Sequence, residues 1–134
     1  MHFPTGDAVN HRVLVFGSRA WADEDTILQR LSRFPAGTVV IHGAAAGADT
    51  IAARVAKALG FVVIGEPVTK EEWDAHGLKA GPRRNQRMLD RHKPTCGLGF
   101  MVGWTHGSAD MLHRLIRAGL PVDLVSRPPP TRIP

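Results

Sequence analysis

The sequence predicts an α/β fold, a doubly wound sheet of about five parallel strands in an order near 3-2-1-4-5 with helices on both faces. Three observations carry that prediction. Short apolar runs of strand length alternate with stretches whose apolar residues recur at helical spacing. The runs are continuous rather than alternating, as strands covered on both faces require. Three of them pass directly into a loop of small residues and then a helix start. These are Val13-Leu14-Val15-Phe16 into Gly17-Ser18-Arg19, Val39-Val40-Ile41-His42 into Gly43-Ala44-Ala45-Ala46-Gly47-Ala48-Asp49, and Gly99-Phe100-Met101-Val102 into Gly103-Trp104-Thr105-His106-Gly107-Ser108.

Taken in order, Arg12–Phe16 is the first strand. Ile27, Leu28, Leu31 and Phe34 form a helical stripe behind Asp23, whose carboxylate suits an N-cap. Thr38–Ile41 is the second strand, followed by a stripe of Ile51, Ala52, Val55, Ala58 and Leu59 that Gly60 ends. Phe61–Ile64 is the third strand. Glu66 to Gly81, with Trp73, reads as irregular, and Pro82 to Arg91 as a short helix with proline in its first turn. Leu98–Val102 is the fourth strand. Ser108 then caps a helix carrying Met111, Leu112, Leu115 and Ile116, Gly119-Leu120-Pro121 breaks it, and Val122–Val125 is the fifth strand. The domain is expected over 12–126, between an N-terminal tail (1–11) and a proline-rich C-terminal tail (127–134). The ligand crevice of such a sheet lies where the strand order reverses, here between the first and fourth strands, with Gly17 and Gly103 at its floor.

Composition narrows the function classes. A hydrophobic fraction of 43% supports an ordinary core without staples. The single cysteine, Cys96, opens an apolar run and reads as a small buried hydrophobe. One cysteine excludes a disulfide framework and a cysteine-rich zinc site, and with no paired-histidine helix motif neither a metal nor a cofactor is expected. No segment is long enough to span a bilayer and residues 1–11 lack a signal-peptide pattern, so the expected location is the cytoplasm, away from membranes. The net charge is +5, with thirteen arginines against four lysines. A bias toward the planar guanidinium suits recognition of phosphate or carboxylate, and a GC-rich genome would produce it too.

The loops carry the candidate chemistry. Gly17 allows close approach of a ligand, Ser18 offers a hydroxyl, and Arg19 offers a cation to a phosphate, or else a tight turn with a solvated arginine. Gly43 to Asp49 has the spacing of neither a P-loop nor the dinucleotide fingerprint, yet its small residues leave backbone donors open beside a helix start. Within it Gly47 precedes Asp49, which reads first as an N-cap and second as a partner for a ribose hydroxyl. His42 reads as a packed core histidine. Arg83 and Arg84 stand out, because cations at a helix N-terminus are disfavoured by roughly 0.3–1 kcal/mol each unless an anion sits above them. Arg83, Arg84 and Asn85 are therefore expected to contact ligand, Arg87 less so; the alternative is a solvated basic face that includes Arg87 and Arg91. Gly107 and the amides of Ser108 and Ala109 could hold a phosphate.

These segments together resemble the SLOG superfamily, in its small YspA-like branch, which is related to the Lonely Guy phosphoribohydrolases and to the Rossmann-like domain of DNA-processing protein A. The resemblance runs from about Arg12 to Val125 and rests on Gly17-Ser18-Arg19-Ala20-Trp21, Gly43-x-x-x-Gly47-Ala48-Asp49, Gly81-Pro82-x-Arg84-Asn85-x-x-Met88 and Gly107-Ser108-Ala109-Asp110-Met111. It implies a Rossmann-like domain that binds a nucleotide or nucleotide-derived ligand at this edge, commonly as a homodimer. The chain departs from the branch at Ala44 (usually glycine), Ala46 (usually arginine), Trp104-Thr105 (usually a glycine pair) and His106 (often arginine). Trp104 could then recognise base or sugar. Met111 stands where the phosphoribohydrolases place a catalytic glutamate; Asp110, one residue earlier, is turned by about 100° on a helix.

The leading expectation is thus a domain that binds ADP-ribose, an NAD-related compound or a nucleoside monophosphate, as a sensor or as a hydrolase of an N-glycosidic or phosphate bond. For a hydrolase, Glu66 and Asp110 are the candidate catalytic carboxylates, since an oxocarbenium-like transition state needs one nearby. Glu71, Glu72 and Asp74 read as a solvated loop or a lid. The alternatives are nucleic-acid binding through the basic stretch Arg83 to Lys93, or a scaffold with a vestigial pocket. Arg84→Ala is expected to abolish ligand response with the fold intact.

Overall fold

The structure is a computed structural model that describes residues 10–129. Five strands, β1 (Arg12–Gly17), β2 (Val39–His42), β3 (Val62–Gly65), β4 (Cys96–Val102) and β5 (Val122–Arg127), form one parallel sheet in the order β3-β2-β1-β4-β5. The helices are α1 (Glu24–Leu31), α2 (Ala48–Ala58), α3 (Lys70–His76), α4 (Ala80–His92) and α5 (His106–Arg117), with a single 3₁₀ turn at Gly77–Lys79 between α3 and α4. The predicted α/β class and strand order are those observed.

Side chains of β1 alternate between two cores. Val13 and Val15 join Ile27, Leu31, Ala52 and Val55 of α1 and α2 on one face. Leu14 and Phe16 join Met88, Met111 and Leu115 of α4 and α5 on the other. Full burial of each large apolar side chain contributes roughly 1.5–3 kcal/mol, so the central strand fixes both layers of helices at once. Cys96 sits at the start of β4, buried, where desolvation pushes its thiol up to about 11.

Several expectations change. The stretch from Glu66 to Gly81 is not irregular: Thr69 and Glu72 form a reciprocal capping box that starts α3. No residue of α3 is buried, so it carries no apolar stripe for periodicity to detect. Helix α4 begins at Ala80, two residues before Pro82, continuous with the 3₁₀ turn. Asp49 is not the cap of α2: Gly47 is, at φ 75°, and a Cβ there would collide with the carbonyl oxygens of Ser18 and Arg19. Ser108 does not cap α5 either, which starts at His106 behind Thr105.

At the margins, His11 is buried against the ring of Phe34 and its carbonyl accepts from Val39 N. Arg127 closes β5 and stacks its guanidinium 4.7 Å from the Trp21 ring while donating to Asp23. The rest of the expected tails, 1–9 and 130–134, lies outside the described residues.

Ala44 adopts a left-handed backbone (φ 57°) at the position where the resembling branch has glycine. A side chain there costs about 1–2 kcal/mol, partly offset by the unfolded-state entropy a glycine would add. Ala44→Gly should therefore raise the melting temperature modestly, by the equivalent of up to about 1 kcal/mol, in thermal denaturation followed by circular dichroism. A lower melting temperature would contradict the strain.

Candidate functional site

A cavity of about 400 Å³ opens at the C-terminal ends of β1 and β4. Its walls come from the β1 turn (Gly17, Ser18, Arg19), the loop after β2 (Gly43, Ala45, Asp49), the start of α4 (Gly81, Pro82, Arg84, Asn85) and the start of α5 (Thr105, Gly107, Ser108, Met111). Gly17 has no room for a side chain, since a Cβ would meet the Phe100 carbonyl and the Ala48 Cβ. That close approach brings the turn down onto the neighbouring strand and helix. Gly47, Arg83, Gly103 and Trp104 do not line the cavity. Arg83 and Trp104 are exposed, and the Trp104 ring packs 6.3 Å from that of His113 on the outer side of α5.

Ser18 acts as a joint. Its amide donates to the Phe100 carbonyl (2.9 Å), its carbonyl accepts from Ala48 N (3.2 Å), and its hydroxyl accepts from Val102 N (2.9 Å). Arg19, next in sequence, is exposed at the cavity wall, and its guanidinium has no hydrogen bond or ion pair among the described residues.

The loop after β2 is folded around two side chains. His42 Nδ1 accepts from Ala44 N (2.9 Å), which fixes that nitrogen as unprotonated; burial, then the charges of Lys57 and Arg84, hold the imidazole below its ordinary pKa. Asp49 Oδ2 accepts from Gly43 N (2.9 Å) and, more weakly, from Ala45 N (3.4 Å). Asp49 is 5% exposed, and desolvation raises its carboxyl to about 6 against the opposing effect of those two bonds.

Arg84 is the buried counterpart. Its guanidinium donates to the Gly43 carbonyl, to the Glu66 carbonyl (3.4 Å) and to Asn85 Oδ1 (3.1 Å). It clamps the ends of β2 and β3 to α4, so Arg84→Ala is now expected to loosen the fold as well as the site. Asn85 in turn donates to Asp110 Oδ2 (3.0 Å) and to the Gly107 carbonyl (3.4 Å), tying α4 to α5 beneath the cavity.

The two carboxylates singled out as catalytic candidates are both engaged away from the cavity lining. Glu66 receives Arg87 Nε (3.0 Å), Arg91 Nη1 (3.2 Å) and His92 Nε2 (2.8 Å). Burial works against its charge, and the bonds from His92 and Arg87 with the charge of Arg91 outweigh it, so its pKa falls below the ordinary value. Asp110 is likewise desolvated, yet its bonds from Arg114 Nε (2.8 Å) and Asn85 leave it below the ordinary value. Arg87 also pairs with Glu72 of α3 (2.5 Å), so the anticipated basic face is largely neutralised. Glu72, far from being a solvated loop residue, is held to about 2, first by the hydrogen bond from Arg87. Among the described residues no cluster of histidine, cysteine and acidic side chains could hold a metal, and no helix is long and apolar enough to cross a membrane.

A five-stranded parallel sheet in the order 3-2-1-4-5, with its loops gathered at the reversal point, defines a Rossmann-like domain. The chain belongs to the YspA, cpYpsA-related SLOG family, whose profile matches residues 11–76. It is 40% identical over 118 residues to the Gene 61 protein of Mycobacterium phage D29, a similarity spanning 83% of this chain and 93% of that one. DNA processing protein A of Streptococcus pneumoniae shares the fold, with a TM-score of 0.51 at 19% identity; the match covers 85% of this chain and 58% of that longer one.

The Glu66 cluster makes a pH prediction. A carboxyl whose folded pKa lies below its ordinary 4.5 contributes stability that is complete above 4.5 and is lost as pH falls through the folded value. Glu66→Gln should cost about 1–3 kcal/mol in urea unfolding at neutral pH, and the gap to the parent protein should close progressively below pH 4.5. A gap independent of pH would contradict the assignment.

Proposed function

We propose that this chain binds a nucleotide or nucleotide-derived ligand, such as ADP-ribose, an NAD-related compound or a nucleoside monophosphate, at the C-terminal edge of its sheet. One observation carries the reading. The first turn of α5 opens on the cavity with neither a side-chain cap nor an acidic residue. Its orphan amides and partial positive charge suit phosphate oxygens, and Arg19 adds a guanidinium with no competing partner among the described residues. The cavity volume lies within the usual range of small-molecule sites. Membership of the SLOG family supports the same reading, and with it a homodimer.

The proposed role is binding, as in a sensor, rather than hydrolysis. Glu66 and Asp110 are each occupied by basic partners, and Met111 stands where the resembling phosphoribohydrolases carry glutamate. Nucleic-acid binding, suggested by the fold shared with a DNA processing protein, would draw on the stretch Arg83 to Lys93. The ion pairs of Arg87 and Arg91 with Glu66 and Glu72 argue against it.

AMP and ADP-ribose should each raise the melting temperature and bind saturably in calorimetry with little dependence on salt. Arg19→Ala should weaken that binding by about tenfold or more while leaving the ligand-free melting temperature unchanged, because the side chain holds no hydrogen bond or ion pair among the described residues. The absence of any response to either compound, or steeply salt-dependent binding of single-stranded DNA in its place, would overturn the proposal.

A further inference from the structure

The cavity also holds a group that a phosphate site does not need. Asp49 lines it, is 5% exposed, and uses only one of its two carboxylate oxygens. Oδ2 takes the amides of Gly43 and Ala45; Oδ1 accepts no hydrogen bond among the described residues, yet it is not among their sealed, unsatisfied buried atoms. An acceptor in this position costs desolvation and gains nothing from the protein itself. The charged group acting on it is Arg84 from α4, whose Nε and Nη1 donate to Asn85 and to the Gly43 and Glu66 carbonyls rather than to Asp49; His42, at the end of β2, accepts Ala44 N at Nδ1 and has no hydrogen bond to Asp49 among the described residues. Among the described residues Oδ1 thus receives no hydrogen bond from the protein.

We infer that Asp49 Oδ1 accepts a hydrogen bond from a sugar hydroxyl of the ligand, and so selects phosphorylated compounds carrying an intact ribose. The inference rests on the binding reading given above and adds to it a specificity residue. The cavity lining combines groups of opposite polarity: orphan amides of α5 and Arg19 for an anion, and a buried carboxylate for a donor. A second phosphate at Asp49 would meet a like charge, whereas a ribose hydroxyl supplies the missing proton. Because the acceptor is strongest when ionised, and burial raises this carboxyl to about 6, discrimination should be full at pH 7.5 and reduced at pH 5.

The test is calorimetric titration of the full chain with AMP, 2′-deoxy-AMP and 3′-deoxy-AMP. The deoxy compounds keep the phosphate and base, so its titration cancels in the comparison. At pH 7.5 AMP should bind about tenfold or more tightly than at least one deoxy analogue, and that preference should shrink at pH 5. In Asp49→Asn the preference should fall to a few-fold while AMP is still bound. Equal affinity of the parent protein for all three would overturn the inference and leave the phosphate reading standing. No binding of any of them, nor of ADP-ribose, would overturn both. The analogue comparison on the parent protein decides the matter even if Asp49→Asn fails to fold.

Discussion

Everything at the functional edge depends on how Ser18 joins three segments. Directly after β1 the chain must reach across to β4 and down onto α2, and it does so through the Ser18 amide on Phe100, its hydroxyl on Val102 and its carbonyl on Ala48. Gly17 makes this possible by leaving no side chain between the turn and the Phe100 carbonyl. The turn therefore cannot tilt without breaking the ends of two strands and the start of a helix. That rigidity sets where Arg19 and the α5 amides stand relative to each other. The hydroxyl of Ser18, the obvious polar handle in the sequence, is thereby committed to the scaffold.

Charge in the molecule divides the same way. Most of the arginines near the site are consumed by the fold: Arg84 on carbonyls, Arg87 and Arg91 on Glu66 and Glu72, Arg114 on Asp110. The pairs of Arg84, Arg87 and Arg91 hold α3 and α4 against the edge of β3, while Arg114 donating to Gln86 and Asn85 donating to Asp110 hold α5 against α4. Buried or half-buried ion pairs of this kind give little net stability over an apolar packing, but each is costly to break singly, which fixes the helices in register. What remains uncommitted near the cavity among the described residues includes Arg19, the first amides of α5, the hydroxyls of Thr105 and Ser108, and one oxygen of Asp49.

The sheet was legible in the sequence because strands buried on both faces leave continuous apolar runs, and their alternation with helical stripes dictates the topology. Helix α3 was not legible by periodicity, since none of its residues is buried; its one signal is the Thr69 and Glu72 capping box. At the cavity, the small-residue turns were readable from their place directly after apolar runs, while Asn85, expected at the ligand, lines the cavity and is bonded to Asp110 and Gly107. The roles of Arg84 and Glu66 were not readable, because apart from Asn85 their partners lie 18 to 41 residues away, and spacing carries no record of such contacts. Asp49 illustrates the limit best: its place two residues into a helix suggests a cap, and only the folded loop shows that it turns back to the amides of Gly43 and Ala45.

The measurement that bears most directly on the site is a titration of the ¹⁵N-labelled protein with AMP, followed by amide chemical shifts. The largest shifts are expected on His106, Gly107 and Ser108 at the start of α5 and on Arg19, with those of Arg83, Arg91 and Lys93 nearly unmoved. Shifts concentrated on the exposed residues of α4, with the α5 start unaffected, would contradict that expectation.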